Sequence, residues 1–267
     1  FKQKTAYEIY QCDWSSDVCS SDLKIAIALR TCTSVRTTFG NERLIKEDKA
    51  TITLTCLNSL LRAIQFTDHE VVFSIHDDNS SEEAIDMMHQ MCNDRGVKVE
   101  FFRCDRLKNF VSQYEWCKKQ DVDYIYCVED DYLHIEGWEN IMKEAFDTFN
   151  VDYVSLYDHP DKYKGPEQGG NPYCEGGAED TRVYLTDSCH WKITNSTTMT
   201  FAAKVKTLRE DEAILRKWTE GKHPHDFQMF LELRDNGRSL ITPLPGYATH
   251  GETAWLSPLT NWKEYIW

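Results

Sequence analysis

The sequence lacks a long apolar run, a basic stripe and a paired-cysteine motif. No run approaches the roughly 20 apolar residues that a membrane-spanning helix needs, so we expect no transmembrane segment in this chain. The 44 Asp and Glu outnumber the 30 Lys and Arg, for a net charge of −14, which argues against nucleic acid as the main partner. None of the ten cysteines forms a C-x-x-C pair, so zinc or redox motifs are unsupported.

The composition is that of an ordinary globular chain. Hydrophobic residues make up 41% of the 267 residues and aromatic residues 12%, enough to build the core of one large domain or two small ones. Several cysteines lie in apolar segments, where a free thiol behaves as a small hydrophobe. We therefore expect a reducing, cytoplasmic location, although a signal or anchor ahead of the native start remains open.

The first 23 residues differ in origin from the rest of the chain. Residues 13–22 read as the in-frame translation of a sequencing-adapter text, Leu23 spans the junction, and residues 2–8 read as a second adapter block. A native arm rich in serine and aspartate is the alternative, but a chance match to two blocks in one frame is far rarer. We predict that residues 1–23 are not native and are disordered, and we exclude them from fold reasoning.

Strand-like and helix-like segments alternate along the remaining chain. Apolar runs of strand length stand at residues 24–30, 70–75, 97–102, 123–128 and 152–156, with helical periodicity between them. This alternation predicts an α/β fold with a mostly parallel central sheet. A further strand is predicted over 196–202, helices over 204–218 and 227–235, and a short strand over 239–241.

Residues 157–192 differ from the alternating pattern because glycine, proline and tyrosine recur throughout the segment. We predict a long loop with short strands. Loops of this length in compact domains are often lids or binding loops. A disordered insertion carries equal weight.

Two acidic clusters follow strands that the pattern predicts to be buried. One is His76-Asp77-Asp78-Asn79 and the other is Glu129-Asp130-Asp131. Ligands bind beyond the carboxyl ends of parallel strands, so both clusters are expected on one rim of the sheet. Neighbouring carboxylates repel, and a divalent cation removes that repulsion. One cluster alone is more typical of a solvated turn, whereas two at equivalent strand ends favour a site.

Two further residues are candidates for chemistry. His250 lies between glycines in the tail, where a returning chain would bring its imidazole to a metal site begun by Asp131. Asp226 opens a predicted helix. It either caps that helix and complements its dipole or acts as a general base.

Taken in order, these motifs resemble those of a GT-A fold glycosyltransferase of the family 2 type, over most of residues 24–251. The resemblance lies in the first strand with Thr31, the turn Asp77-Asp78-Asn79-Ser80, the acids Glu129-Asp130-Asp131 at the place of an Asp-x-Asp motif, and then Asp226, Arg234, Gly237, Pro243 and His250. The chain departs from the family at His225, where the family often has Glu, and over residues 157–192. The signature of processive synthases is absent, which favours a non-processive enzyme.

The resemblance implies a Rossmann-like α/β/α sandwich. It implies one domain over 24–267, with a nucleotide-sugar-binding half at 24–135 and an acceptor-binding half at 136–267. The implied donor-binding residues are Thr31, Asp77, Asp78, Glu129 and Asp130, with an aspartate of the turn on the base. Asp131 and His250 would bind the metal, and Asp226 would be the catalytic base.

The implied activity is metal-dependent transfer of a hexose or N-acetylhexosamine from a nucleotide diphosphate sugar, with inversion and with Mn²⁺ or Mg²⁺. The acceptor would be a glycan, a lipid-linked molecule or a protein. A retaining enzyme is one alternative. A nucleotidyltransferase is another, but it needs a glycine-rich basic loop, and residues 30–43 offer Arg30, Arg36 and Arg43 with only Gly40. A non-catalytic module that binds carbohydrate or metal is the third.

Overall fold

The structure is a computed structural model that describes residues 23–34, 42–105, 108–221 and 223–266. Of the segment expected to be non-native, only Leu23 is among them, and its side chain is buried. Arg36 and Gly40, which belong to the segment considered as a phosphate loop, lie outside the described residues. None of the helices in the described ranges combines the length and apolarity required to span a bilayer.

Strands and helices alternate through the first half of the chain, as predicted. The elements in that half are β1 (Lys24–Thr31), α1 (Lys49–Gln65), β2 (Glu70–Asp77), α2 (Glu82–Asp94), β3 (Val99–Arg103), α3 (Asn109–Cys117), β4 (Tyr124–Glu129), β5 (Tyr132–His134) and α4 (Trp138–Thr148). The second half contains β6 (Tyr153–Val154), β7 (Val183–Leu185), β8 (His190–Ile193), β9 (Phe201–Lys204), α5 (Val205–Glu210), α6 (Glu212–Thr219), α7 (Asp226–Asp235), β10 (Leu240–Leu244) and β11 (Ala248–His250).

Within the described residues, nine strands form one sheet in the order β3-β2-β1-β4-β9-β6-β10-β8-β7. Strands β3, β2, β1 and β4 pair in parallel. Strand β9 is antiparallel to both β4 and β6, and β6 is parallel to β10. Only β9 and β8 therefore run against the other strands, and the prediction of a mostly parallel α/β sheet is confirmed.

Two hydrophobic layers cover the two faces of the sheet. Alternate residues of β1 supply both layers, because side chains of a strand point to opposite faces in turn. Ile25 and Ile27 pack with α1, α2 and α4, whereas Ala26 and Ala28 pack with α3, α5 and α7. Small residues on the second face let the aromatic side chains of α3 lie close to the sheet. The result is the expected α/β/α sandwich.

Two predicted elements differ from the observed ones. The helix predicted over 204–218 is two helices, because the chain breaks at Asp211, whose carboxylate accepts hydrogen bonds from Tyr153 Oη at 2.7 Å and Arg238 Nε at 2.8 Å. The strand predicted over 196–202 begins only at Phe201, because side-chain hydrogen bonds such as Ser155 Oγ to Thr197 Oγ1, 2.7 Å, replace the backbone ladder before it.

The cysteines of the described residues are all free thiols, as the sequence predicts, and six of them are buried. Burial raises the pKa of Cys92 to about 11. A thiol with a raised pKa is a poor nucleophile and metal ligand, so Cys92 acts as a small core residue.

Ser81→Ala should lower the free energy of unfolding by about 1 kcal/mol. Ser81 is the N-cap of α2, and its Oγ accepts a hydrogen bond from Ala84 N at 3.2 Å. Ser188 is exposed and lies between β7 and β8 rather than at the start of a helix, so Ser188→Ala is the control and should leave stability within about 0.5 kcal/mol. Urea denaturation of both variants makes the comparison, and equal midpoints would contradict the capping role.

Candidate active site

The carboxyl ends of β1, β2 and β4 meet at one rim of the sheet. Their register places Thr31 of β1 beside Asp77 of β2, and Arg30 of β1 beside Glu129 of β4. Both acidic clusters therefore lie on the rim where an open parallel sheet binds its ligands. Strand β1 lies between them and fixes their separation.

The turn after β2 is tied to the end of β1 by buried hydrogen bonds. Asp77 Oδ1 accepts from Thr31 Oγ1 at 2.8 Å, and Asp77 Oδ2 accepts from Ser80 N at 3.0 Å. Ser80 Oγ in turn accepts from Thr33 N at 2.9 Å. Asn79 takes the left-handed conformation, with φ of 67°, which asparagine tolerates better than most residues. These bonds hold the turn in place. Asp78, the next residue of the turn after Asp77, is also buried.

A cleft of about 420 Å³ opens between this turn and the start of α1. Its lining comes from the segments 33–34, 48–50 and 79–81. This volume is within the range of small-molecule and cofactor sites. Asp48 caps α1 through a 2.8 Å hydrogen bond to Thr51 N, so the helix begins at the wall of the cleft with its partial positive end toward it.

Asp130 joins three elements at the rim. Its Oδ2 accepts from Cys32 N and from Thr53 Oγ1, both at 3.0 Å, and its Oδ1 lies 2.6 Å from Lys49 Nζ. The Asp130 carboxylate is therefore bonded to the residue after β1 and to two residues of α1. The arrangement holds Lys49 at the edge of the cleft.

Asp131 lies at the centre of a cluster of basic groups. Its Oδ2 is 3.3 Å from Arg43 Nη1, 3.3 Å from His250 Nε2 and 3.5 Å from Lys49 Nζ. Burial opposes ionisation of this carboxyl, but Lys49, His250 and Arg43 together hold its pKa well below the usual 3.8. Burial alone would lower the pKa of His250, whereas Asp131 raises it above 6.5.

His250 reaches this cluster because the tail crosses back over the rim. Strand β11 pairs antiparallel with β5, with His250 opposite Tyr132. The backbone N of Gly251 donates to Asp131 O at 2.9 Å. A Cβ on Gly251 would lie 3.3 Å from that oxygen, which is a tight contact, so glycine favours this close approach. The expected meeting of Asp131 and His250 is thus observed.

Glu129 is the third acid of the cluster and has different partners. Its Oε1 accepts from Arg30 Nη2 at 2.8 Å and its Oε2 accepts from Thr200 Oγ1 at 3.3 Å. Arg30 stacks over the ring of Phe110. Burial raises the pKa of Glu129, and the charges of Asp131 and Asp226 raise it further, while Arg30 opposes the shift.

Asp226 stands at the first turn of α7 and belongs to the same charged group. Its Oδ1 accepts from Phe227 N at 2.7 Å. Burial raises its pKa above 3.8, while the charges of His159 and Arg30 oppose the shift. The charge of Asp226 also raises the pKa of Glu129, so the two carboxyls lie within electrostatic range although they are about a hundred positions apart in the sequence.

The implied divalent cation does not fit the donor set around Asp131. Asp131 and His250 are the two side chains expected to bind it, but Arg43 and Lys49 approach the same Asp131 oxygen. Hard cations are held by several oxygens, and two positive groups beside the main ligand oppose their binding. Among the described residues, no group of three or more His, Cys, Asp or Glu is placed to hold a metal ion.

Sequence reasoning missed Lys49 altogether and considered Arg43 only as part of a weak phosphate loop. Both are buried at the rim, each with a side chain 9% exposed. The available signal was their position between a first parallel strand and its helix, a segment that commonly binds phosphate. His76, in contrast, is a core residue. Burial lowers its pKa to about 4, and Ser74 and Ser112 bond its two ring nitrogens.

A row of aromatic rings leads away from His250 along the second half of the chain. Tyr132 contacts both His250 and Tyr157 with ring centroids 5.5 Å apart. His159 lies 4.8 Å from the Tyr157 ring and 5.4 Å from the Trp255 ring. Tyr132 and Tyr157 are buried, whereas His159 and Trp255 are partly exposed. Burial raises the pKa of Asp226, and the charge of His159 opposes that rise.

The segment 157–192 that precedes and includes β7 and part of β8 is anchored by buried charges. Lys192 Nζ lies 2.9 Å from Asp158 Oδ1, and Lys162 Nζ donates to Asn195 Oδ1 at 2.8 Å and to Ser196 Oγ at 2.7 Å. Strands β7 and β8 extend the main sheet as a hairpin. The expectation of a long loop with short strands is confirmed. A disordered insertion is wrong, since these buried contacts order the segment.

Comparison with solved structures shows a shared fold. TarS 1–349 from S. aureus aligns with a TM-score of 0.51 and 12% identity, over 82% of this chain and 58% of that one. The same protein in complex with UDP gives 0.50 and 12%, over 82% and 57%. This chain thus spans less than two thirds of those structures. They have the GT-A fold, and identity this low shows the fold alone.

Two other structures align at lower scores. The galactosyltransferase LgtC, in complex with donor and acceptor sugar analogues, gives a TM-score of 0.43 and 11% identity, over 78% of this chain and 69% of that one. The 4-diphosphocytidyl-2C-methyl-D-erythritol synthase of Anaerococcus prevotii gives 0.46 and 12%, over 92% and 93%. No protein-family model matches the sequence, and no curated protein matches it.

Proposed function

We propose that this chain, which has the GT-A fold, is a glycosyltransferase that moves one sugar from a nucleotide diphosphate sugar to an acceptor hydroxyl. The observation that supports it most directly is the meeting of Asp131 and His250 on the sheet rim that also carries Glu129, next to a cleft of about 420 Å³. The charge of Asp226 also acts on Glu129. The cleft offers room for a donor, and the acidic group offers a base.

The nucleoside is proposed to lie in the cleft between the turn after β2 and the start of α1. Asp77 and Thr31 fix the turn by their 2.8 Å hydrogen bond, and an aspartate of that turn, Asp77 or Asp78, is proposed to contact the base. The diphosphate would extend toward Lys49, which lines the same cleft. Glu129 and Asp130 would then stand beside the ribose and the donor sugar, with Asp130 acting through its bonds to Lys49 and Cys32 N.

Asp226 is proposed as the general base. Its carboxylate takes the proton of the acceptor hydroxyl while that oxygen attacks the anomeric carbon and the bond to the diphosphate breaks. With a single base on the acceptor side, the acceptor oxygen attacks the anomeric carbon from the side opposite the leaving group. The configuration at that carbon is therefore inverted. A proton NMR time course, which reports the anomeric configuration of the first product formed, distinguishes inversion from retention.

The acceptor is proposed to lie against the partly exposed rings of His159 and Trp255, with the buried Tyr157 packed against His159. Trp255 is partly exposed, and an aromatic face offers the apolar surface that a sugar ring needs, with polar edges for its hydroxyls. A glycan, free or on a lipid or protein carrier, fits that chemistry. The expected dependence on Mn²⁺ or Mg²⁺ is left out of the mechanism, because the donor set does not fit such an ion.

A thermal-shift panel tests donor binding. UDP, GDP and CDP are each added to the full chain with EDTA or with Mn²⁺, beside free monosaccharides. At 100 times its dissociation constant the bound nucleotide should add about 2.7 kcal/mol to the free energy of unfolding and raise the Tm. A rise with monosaccharides and none with any nucleotide would instead support a non-catalytic carbohydrate-binding module.

A further inference from the structure

We propose that Lys49 and Arg43 supply the positive charge that stabilises the diphosphate leaving group, in place of a divalent cation. This inference rests on the proposed function, since it assigns the leaving-group chemistry of the same site. The observation behind it is that these two side chains converge on the acidic cluster where the fold family places its metal.

The geometry of Asp131 is the first argument. Lys49 Nζ and Arg43 Nη1 lie 3.5 Å and 3.3 Å from the same oxygen, Asp131 Oδ2. Two cationic groups therefore already occupy the neighbourhood of the oxygen on which a divalent ion would bind. Like charges at this spacing repel strongly where water is scarce.

The second argument is that the charges of the cluster are largely paired. Its ion pairs join four acids, Glu129, Asp130, Asp131 and Glu252, to Arg30, Arg43, Lys49 and His250, and Asp226 makes none of these pairs. Sites for hard divalent cations depend on an excess of carboxylate charge. Here Arg30, Arg43 and Lys49 each contact at least one carboxylate of the cluster, so the acids already have cationic partners from the chain itself and attract a divalent ion less strongly.

The third argument is preorganisation. Asp130 holds Lys49 Nζ at 2.6 Å, and Glu252 Oε1 lies 3.5 Å from Arg43 Nη2. Both bases are nearly buried, yet Lys49 lines the cleft. Donors that are fixed in advance and shielded from water stabilise developing charge most effectively, because the protein need not reorganise during the reaction.

The step can be written without any ion. The acceptor oxygen forms a bond to the anomeric carbon, and its proton passes to the Asp226 carboxylate. The bond from the anomeric carbon to the diphosphate oxygen breaks, and its electron pair stays on the diphosphate. The Nζ–H groups of Lys49 and the guanidinium of Arg43 donate to the diphosphate oxygens as that charge develops.

The test uses the full chain in excess EDTA. Release of nucleoside diphosphate from a panel of UDP-, GDP- and CDP-sugars is compared in EDTA and in Mn²⁺, and binding of inorganic pyrophosphate in EDTA is measured by calorimetry. We expect turnover in EDTA within a few-fold of that in Mn²⁺, and measurable pyrophosphate binding. Lys49→Gln should lower turnover by about 10²–10³-fold, the usual cost of removing one such donor, and weaken pyrophosphate binding.

Two further variants distinguish the loss of the positive charge at position 49 from a loss of folding. Lys49→Arg keeps a cation and should retain most turnover, and Lys46→Gln, at a lysine 75% exposed on the same segment, should match wild type. Turnover that appears only with Mn²⁺ would overturn the inference and leave the proposed function intact. Turnover of no donor in either condition would overturn the proposed function, and pyrophosphate binding unchanged by Lys49→Gln would overturn the role of Lys49.

Discussion

Asp226→Asn should lower kcat by about 10²–10⁴-fold, the usual contribution of a general base, with little change in KM for the donor. Asparagine keeps the shape of the side chain and can still accept a hydrogen bond from Phe227 N, so the start of α7 should fold normally. It cannot take a proton from the acceptor hydroxyl. The measurement is steady-state release of nucleoside diphosphate, with circular dichroism as the check on folding.

The pH profiles of the wild-type protein and Asp226→Asn give a second test of this base. Burial raises the pKa of Asp226 above 3.8, and a base works only in its ionised form. The rate should therefore fall as the pH drops through that raised pKa, giving an acid limb in kcat. Asp226→Asn should lose this limb along with most of the rate.

Asp235 at the other end of the same helix provides the control. Its side chain is 73% exposed, and Asp235→Asn makes the same chemical change away from the rim. It should leave kcat and the acid limb as in wild type. A full rate in Asp226→Asn, or an equal loss in both variants, would show that Asp226 is not the base.

Lys192→Met should lower the free energy of unfolding by about 3–5 kcal/mol, the usual cost of breaking a buried ion pair from one side. Lys192 Nζ lies 2.9 Å from Asp158 Oδ1, and the two side chains are 3% and 2% exposed. Removing the amine leaves a buried carboxylate that loses its cation and keeps the hydrogen bonds from the Tyr163 hydroxyl. Urea denaturation monitored by tryptophan fluorescence gives the change.

The double variant Asp158→Ala with Lys192→Met distinguishes a paired charge from loss of packing. The single Lys192 variant and the double variant both lose the 4.0 Å contact of Lys192 Nζ with Glu179, but only the double variant also removes the Asp158 carboxylate. It should therefore be less destabilised than the sum of the single ones. The exposed Lys206→Met is the matched control, at 86% exposed, and should change stability by less than about 0.5 kcal/mol. Strict additivity of the two buried substitutions would contradict the pairing.

The parallel half of the fold was readable from the sequence because each element there depends on local periodicity. Apolar strands such as β1 and β4 alternate with amphipathic helices, and the acids at their ends follow directly in the chain. Once the strands are parallel, topology alone places Asp77 and Glu129 on one rim. The position of His250 also followed, because glycines on both sides allow the tail to turn back over the sheet.

The other features of the fold and of the site depend on long-range contacts that no local sequence pattern encodes. The break at Asp211 exists because Arg238 and Tyr153 converge there from distant segments. Lys49 reaches Asp131 because α1 packs against β5, and Arg43 reaches it because the backbone of Arg43 pairs with Glu252. A sequence pattern shows which charged residues exist, but only the packed structure shows which of them lie against the same carboxylate oxygen.

The fate of a labelled nucleotide sugar is the measurement that tests the proposed activity most directly. The full chain is incubated with UDP-, GDP- and CDP-hexoses labelled with ¹³C in the sugar, together with a panel of glycan acceptors, and all products are identified by mass spectrometry. We predict that nucleoside diphosphate accumulates in step with labelled sugar on an acceptor, and that Asp226→Asn slows both equally. Labelled sugar 1-phosphate with nucleoside monophosphate, or no turnover of any donor, would contradict glycosyl transfer.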